Sequence, residues 1–355
     1  MAKTRPARAP GAAPTIVDVA EQAGVSIKTV SRVLNHEPGV HEKTRATVLQ
    51  VVANLKYRPK LSARSLAGGR SFLIGLLYYD PSAFFVGGVQ QGATLCCREA
   101  GHHLVVESLH NDAPDLELQI ERMVQALRPD GMVLTPPLCD NPKVLEALRA
   151  MDTPCVLISP GFHPGERSAQ AKVQEVLPSV GMDDVLAAEE VTNLLISLGH
   201  TRIAHIKGAA DQAAAGQRYQ GFVNAMEQHQ LAIDPALIYQ GAFTFASGVE
   251  GAHQLLSRRV RPTAVFAAND DMALGVLAAA QRLGLAVPQD LSIVGFDDSQ
   301  AASLVWPPLT TVRQPMAEMA RAAVEMLITP PPGPAPHRIL PHELIVRNST
   351  AAPRG

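Results

Sequence analysis

Lys28 and Arg32 stand four residues apart in the run Ile27-Lys28-Thr29-Val30-Ser31-Arg32, a spacing that puts both cations on one helical face. Such a face suits a polyanion. Arginine donates bidentately to guanine O6 and N7, and an apolar neighbour such as Ile27 meets a thymine methyl. Ile27, Lys28, Thr29 and Arg32 are therefore the candidate readers of a major groove. Thr15, Ser31 and Asn35, with the backbone amides at the helix starts, are the candidate phosphate contacts, which fix position rather than sequence. A second set of polar residues closes short apolar runs much further along: Tyr79-Asp80, Thr135, Ser159, Asn269-Asp270 and Asp297. Carboxylates, amides and hydroxyls in such places exchange hydrogen bonds with the hydroxyls of a small ligand.

Other groupings do not assemble into chemistry. Asp297-Asp298 are adjacent at a strand end, so their carboxylates point apart, and no nucleophile motif accompanies them. His102-His103 lack metal-ligand spacing, as do His200 and His205, and there is no GxSxG, P-loop or GxGxxG pattern. The expectation is a protein that binds rather than catalyses, without metal or cofactor.

The elements that must carry these residues fall into two textures. From residue 15 to 57 the pattern is helical throughout. Thr15 caps a first helix, Ala23-Gly24-Val25 breaks it, and Ser26 caps a second that runs to about Asn35. Two short helices around a glycine turn make a helix-turn-helix, with Ala20 and Val30 at their contact. A third helix over residues 43–55 closes the core with Val48, Val51, Val52 and Leu55. Beyond residue 71, short apolar runs at 72–79, 103–109, 131–135, 154–159, 202–208, 263–268 and 291–296 alternate with helix-length segments. That is the rhythm of βαβ units and parallel sheets. The runs form two groups, separated by a polar stretch at 162–179, which predicts two doubly wound subdomains with a cleft between them.

Charge divides along the same line. The formal net charge is −2, yet residues 1–70 hold 12 Lys/Arg against 4 Asp/Glu, leaving 19 against 29 for the remainder. A basic module meets the polyanion and an acidic body serves another purpose. With 46% hydrophobic and 18% charged residues the chain is globular. No apolar run is long enough for a membrane span and no secretory signal stands at the N-terminus, so a cytoplasmic location is expected. Cys96, Cys97, Cys139 and Cys155 lack CxxC spacing and read as buried thiols. Residues 1–14, with Lys3, Arg5 and Arg8, read as a disordered basic tail, and Pro-rich 329–336 as a loop.

Residues 15–71 resemble the DNA-binding headpiece of LacI/GalR-type bacterial transcription regulators. The resemblance rests on Asp18-Val19-Ala20, Ala23-Gly24-Val25-Ser26, Thr29-Val30-Ser31-Arg32-Val33-Leu34-Asn35 and Tyr57-Arg58-Pro59. It adds Ser26 and Tyr57 to the DNA-facing set. It also implies a hinge helix within residues 60–67, where Leu66 wedges into the minor groove, Ala63 meets its counterpart in a dimer and Arg64 reaches phosphate. His41 departs from the Ser or Thr that usually caps the third helix.

Residues 72 to about 350 resemble the family's effector-binding core, which shares its fold with periplasmic sugar-binding proteins. The matching stretches are Ser197-Leu198-Gly199-His200, Arg218-Tyr219-Gln220-Gly221-Phe222, Phe266-Ala267-Ala268-Asn269-Asp270, Val294-Gly295-Phe296-Asp297-Asp298 and Pro308-Leu309-Thr310-Thr311-Val312-Arg313-Gln314. By that match Arg218, Phe243, Asn269, Asp297 and Gln314 lie at or beside effector contacts. Tyr79, Phe84 and Phe243 are candidates to stack on the C–H faces of a sugar, and each equally suits a place in the core. Asp270 and Asp271 read as a helix N-terminal pair. The loop Asp80-Pro81-Ser82-Ala83-Phe84-Phe85 and Ser159 depart from the common pattern, so effector identity does not carry over, and another metabolite such as a nucleobase or amino sugar stays open.

The reading is an all-α headpiece (15–58), a hinge and linker (59–71) and an α/β periplasmic-binding-protein-like core (72–350). Its first subdomain spans about 72–178 and 309–330, its second 179–308 and 331–350. The expected partners are pseudo-palindromic double-stranded operator DNA, a small sugar-like effector and a second copy of the chain. A homodimer is favoured because the C-terminus lacks leucine heptads. A repressor of carbohydrate-utilisation genes is the first reading. An activator of the same family and a sugar-binding module without DNA function stay open.

Overall fold

The computed structural model describes residues 14–34, 38–57, 70–79, 83–161, 177–334 and 336–354. The expected tail, Asn35, and the hinge residues Ala63, Arg64 and Leu66 lie outside them, as do Asp80 and Ser82. The chain divides into two units, Met1–Ser71 and Phe72–Gly355.

In the first unit, helix α1 (Ile16–Ala23) opens with a capping box. The Thr15 amide donates to the Asp18 carboxylate at 2.7 Å, and the Asp18 amide donates back to the Thr15 hydroxyl at 3.4 Å. Gly24 ends the helix at φ 64°, a left-handed value that favours glycine. Ser26 then starts α2 (Ile27–Leu34), its hydroxyl accepting the Thr29 amide at 3.1 Å. Helix α3 (Glu42–Asn54) begins at His41, which makes no side-chain cap bond, consistent with imidazole being a poor cap. Val19, Ala20, Val30, Val33, Val48, Val51 and Tyr57 form the core, with Val52 and Leu55 packed beside it.

In the second unit, a six-stranded parallel sheet has the order β11-β5-β4-β3-β1-β2. It contains β1 (Leu73–Tyr78), β2 (His103–Ser108), β3 (Gly131–Leu134), β4 (Cys155–Ile158), β5 (Ser179–Gly181) and β11 (His337–Ile339). Both faces are covered, so side chains sort by parity. Ile74, Leu76, Val133 and Val156 pack against α4 (Ala83–Glu99) and α12 (Met316–Ile328). Leu77, Met132, Leu134 and Leu157 pack against α5 (Leu116–Leu127) and α6 (Pro142–Ala150).

A four-stranded parallel sheet follows, in the order β7-β6-β8-β9, from β6 (Ile203–Lys207), β7 (Ile238–Gln240), β8 (Ala264–Ala267) and β9 (Ser292–Val294). Ile203, Phe266 and Val294 face α7 (Asp184–Ser197) and α8 (Ala213–Gln228). Ile206, Val265 and Ile293 face α9 (Phe245–Leu256) and α10 (Asp270–Arg282). After the short α11 (Gln300–Leu304), β10 (Thr311–Arg313) pairs antiparallel with β12 (Glu343–Ile345) and bridges to the second sheet through Val294–Thr310 and Asp297–Arg313.

These pairings move the expected subdomain boundaries. Ser179 pairs with Leu157 of β4, and His337 with Ser179, so residues 179–181 and 337–339 belong to the first subdomain. Residues 309–313 belong with the second. The strands involved are three residues long, too short for an apolar run to reveal. The chain therefore crosses between subdomains at 181–184, 313–316 and 339–343.

Candidate functional site

On the headpiece, Val30 and Val33 turn α2 inward, which leaves Ile27, Lys28 and Arg32 exposed on the outer side. Ile27 is 48% exposed, unusual for a β-branched apolar residue in so small a fold and apt for contact with a partner. The Ser26 and Thr29 hydroxyls lie 2.9 Å apart at the entrance to this helix, and Ser31 is half-buried. Tyr57 is 7% exposed, its ring belongs to the core, and burial raises its hydroxyl pKa. The Thr15 hydroxyl donates to Asp18 at 2.9 Å and serves the cap.

In the core unit a cleft opens between the two sheets at the carboxyl ends of their strands. Phe85, Pro136 and Ser159 line it from the first subdomain, and Asp184, Gln212, Ala214, Arg218, Phe243, Asn269 and Asp297 from the second. Gln314, on the middle crossing, completes it.

Arg218 is the centre. It is 4% exposed, and its Nε donates to Asp184 Oδ1 at 2.8 Å while Nη1 donates to the Ala268 carbonyl at 2.6 Å. Nη1 also lies 4.0 Å from Asp297 Oδ1. The guanidinium carbon sits 3.7 Å from the Phe296 ring centroid and 5.8 Å from that of Phe243. Close packing of α8 on α7 at Gly221 sets this position, since any Cβ there would strike the Val185 carbonyl. Asp297 accepts from Gln314 Nε2 at 2.5 Å, tying the crossing to the second subdomain. Asn269 caps α10 by accepting the Met272 amide, and its amide nitrogen donates to the Phe243 carbonyl.

Three residues of the cleft lining hold strained backbone. Ser159 (φ 48°), Phe243 (φ 58°) and Asp297 (φ 128°) all hold positive φ without being glycine. Such conformations cost about 1–3 kcal/mol each and gather at ligand-binding sites. The Phe243 ring has room only because residue 208 is glycine, where any Cβ would overlap the ring.

Residues 15–60 match the family described as bacterial regulatory proteins, lacI family, and residues 192–350 match the periplasmic binding protein-like domain. The transcriptional regulator DegA of Bacillus subtilis is 36% identical over 342 residues, covering 95% of this chain and 98% of its own. The chain belongs to the LacI family of transcription regulators. Among solved structures, the lac repressor dimer bound to operator and an anti-inducer superposes with a TM-score of 0.79 at 29% identity, covering 96% of this chain and 99% of that one. A complex of the regulator CelR with cellobiose gives a TM-score of 0.71 at 30% identity, covering 95% and 99%.

For this LacI-family chain the structure brings Ser159, Arg218, Phe243, Asn269, Asp297 and Gln314 together in one cleft. Three other expected contacts fall elsewhere. Thr135 is fully buried and donates to the Leu77 carbonyl, while its neighbour Pro136 lines the cleft. Phe84 packs on the first-subdomain core, and the helical turn presents Phe85 instead. Tyr79 lies against His110, ring centroids 4.9 Å apart. Asp270 is held by the Thr311 hydroxyl and the Ser299 amide, in keeping with its place at a helix start. Asp184 and Gln212 are absent from the expected set. The pair Asp183-Asp184 before an amphipathic run is the available signal: Asp183 caps α7, which leaves Asp184 to face Arg218.

Proposed function

We propose that this chain is an effector-controlled repressor of carbohydrate-utilisation genes, acting as a homodimer on a pseudo-palindromic operator. The observation that carries the effector half is the cleft: guanidinium, carboxylates and amides converge between aromatic rings, the chemistry that recognises a polyhydroxylated ring. The exposed face Ile27-Lys28-Arg32 supports the DNA half, with Arg32 reading bases and Lys28 reaching phosphate or base edges. The effector acts through differential affinity for the separations that three crossings allow between the subdomains, a coupling of about 1–3 kcal/mol in typical cases. No helix of the described residues is long and apolar enough to cross a membrane, in keeping with a site of action on cytoplasmic DNA. Operator binding of the purified protein, followed while neutral sugars are titrated, tests this function. Trp306, 81% exposed, supplies a fluorescence signal for the same titration. Operator affinity insensitive to every sugar would refute a sugar effector, and no sequence-specific binding would refute the repressor reading.

A further inference from the structure

The lining of the cleft carries a charge rule. Among the described residues it holds one cation, Arg218, and two carboxylates, Asp184 and Asp297, each about 95% buried or more. Asp184 engages the guanidinium directly at 2.8 Å, and Asp297 stands 4.0 Å from it on another side. The remaining polar lining, Ser159, Gln212, Asn269 and Gln314, is uncharged. A phosphate or carboxylate entering this space would meet a guanidinium already engaged and bring a further negative charge beside two buried ones. Hydroxyl groups face no such penalty, since they donate to carboxylate oxygens and accept from amides.

We propose that Asp184 is a specificity-determining residue that closes Arg218 to anions and restricts the effector to uncharged, hydroxyl-bearing compounds, excluding their phosphorylated and carboxylated forms. This rests on the effector-controlled reading above and goes beyond it by naming the charge class that the site refuses. Asp184 acts as a gate because its buried charge already neutralises the guanidinium and repels an incoming anion. In Asp184→Asn the guanidinium keeps a polar neighbour but loses its hydrogen-bonded counter-charge, leaving Asp297 at 4.0 Å and opening the same cleft to an anion.

The test uses the full chain and inorganic phosphate, measured calorimetrically at constant ionic strength. Wild type is expected to show no phosphate binding that depends on Arg218, while Asp184→Asn gains it by about tenfold or more. Asp297→Asn, which removes the more distant carboxylate, is expected to gain less, and it carries the test if Asp184→Asn does not fold. Phosphate binding by wild type that is absent from folded Arg218→Gln would overturn the proposal, as would folded Asp184→Asn and Asp297→Asn variants that gain none. These arms are separate from the sugar titration. A silent sugar panel counts against a sugar effector, whereas the phosphate comparison reports the gate alone.

Discussion

Arg218 lies with its guanidinium over the Phe296 ring, 3.7 Å from the centroid, while its Nε donates to Asp184 at 2.8 Å. Packing and charge are thus satisfied by one side chain at a point where two helices, a strand end and the cleft meet. Arg218→Ala strands Asp184 as a buried charge and empties the space over Phe296. The expected loss is about 3–5 kcal/mol of stability, read from urea unfolding. A loss below about 1 kcal/mol would mean that Asp184 finds solvent in the folded state.

Asp297 separates stability from response. Its φ of 128° is strained for aspartate, so Asp297→Gly relieves the backbone while deleting the carboxylate that Gln314 holds. Thermal stability is expected to change by no more than about 1 kcal/mol, and the effector response of operator binding to vanish. A retained response would place the ligand elsewhere.

On the headpiece, Arg32→Ala is expected to cost about 1–3 kcal/mol of specific binding, with little change on random DNA. Should Lys28 bind phosphate, Lys28→Ala weakens both alike and makes the salt dependence shallower by about 0.9 for the one phosphate no longer neutralised. Quantitative mobility shifts at two or more salt concentrations distinguish the two roles.

His205 sets an acid limit. It is fully buried among Tyr219, Phe222 and Phe266, and burial pushes its pKa down to about 3, with Lys207 and Arg218 adding to the effect. The unfolded imidazole takes a proton near its ordinary value of 6.5 while the folded one does not, so this contribution falls as pH drops from 6.5 toward 3. Asp270 works in the opposite direction. Burial raises it to about 7 from 3.8, so the folded state holds a proton that the unfolded state has lost over that interval. The two offset one another between about pH 4 and 6.5. His205→Phe unmasks Asp270, and its stability is expected to rise on acidification from pH 7 to 5 by on the order of 1 kcal/mol per pH unit. A urea midpoint that stays flat in the variant would show that Asp270 is ionised throughout.

The headpiece was legible because every signal in it is local. Thr15 with Asp18, Gly24 in its turn, and Ser26 before an apolar-spaced helix are each read within a few residues. Helix parity likewise turned Lys28 and Arg32 outward. The core was legible where strands are long and buried on both faces, as at 73–78 and 203–207. What stayed hidden was set by distance. The pairing of Ser179 with Leu157 and His337 leaves no periodicity, because three residues make only one and a half alternations. Thr135 and Pro136 are both near the end of β3, and only the packed chain decides which one meets the cleft. The Asp184–Arg218 pair spans 34 positions, so neither residue announces the other.

The three crossings have a consequence for the order in which this protein comes into being. The first sheet takes β11 at its edge, and the second subdomain's interior receives Ser349, whose hydroxyl donates to the Ile293 carbonyl and accepts the Thr310 amide. Neither half of the core is complete until residues 337–349 have left the ribosome, whereas the headpiece closes on contacts within residues 15–57. The headpiece, with its exposed basic face, is assembled first, and the core is finished last.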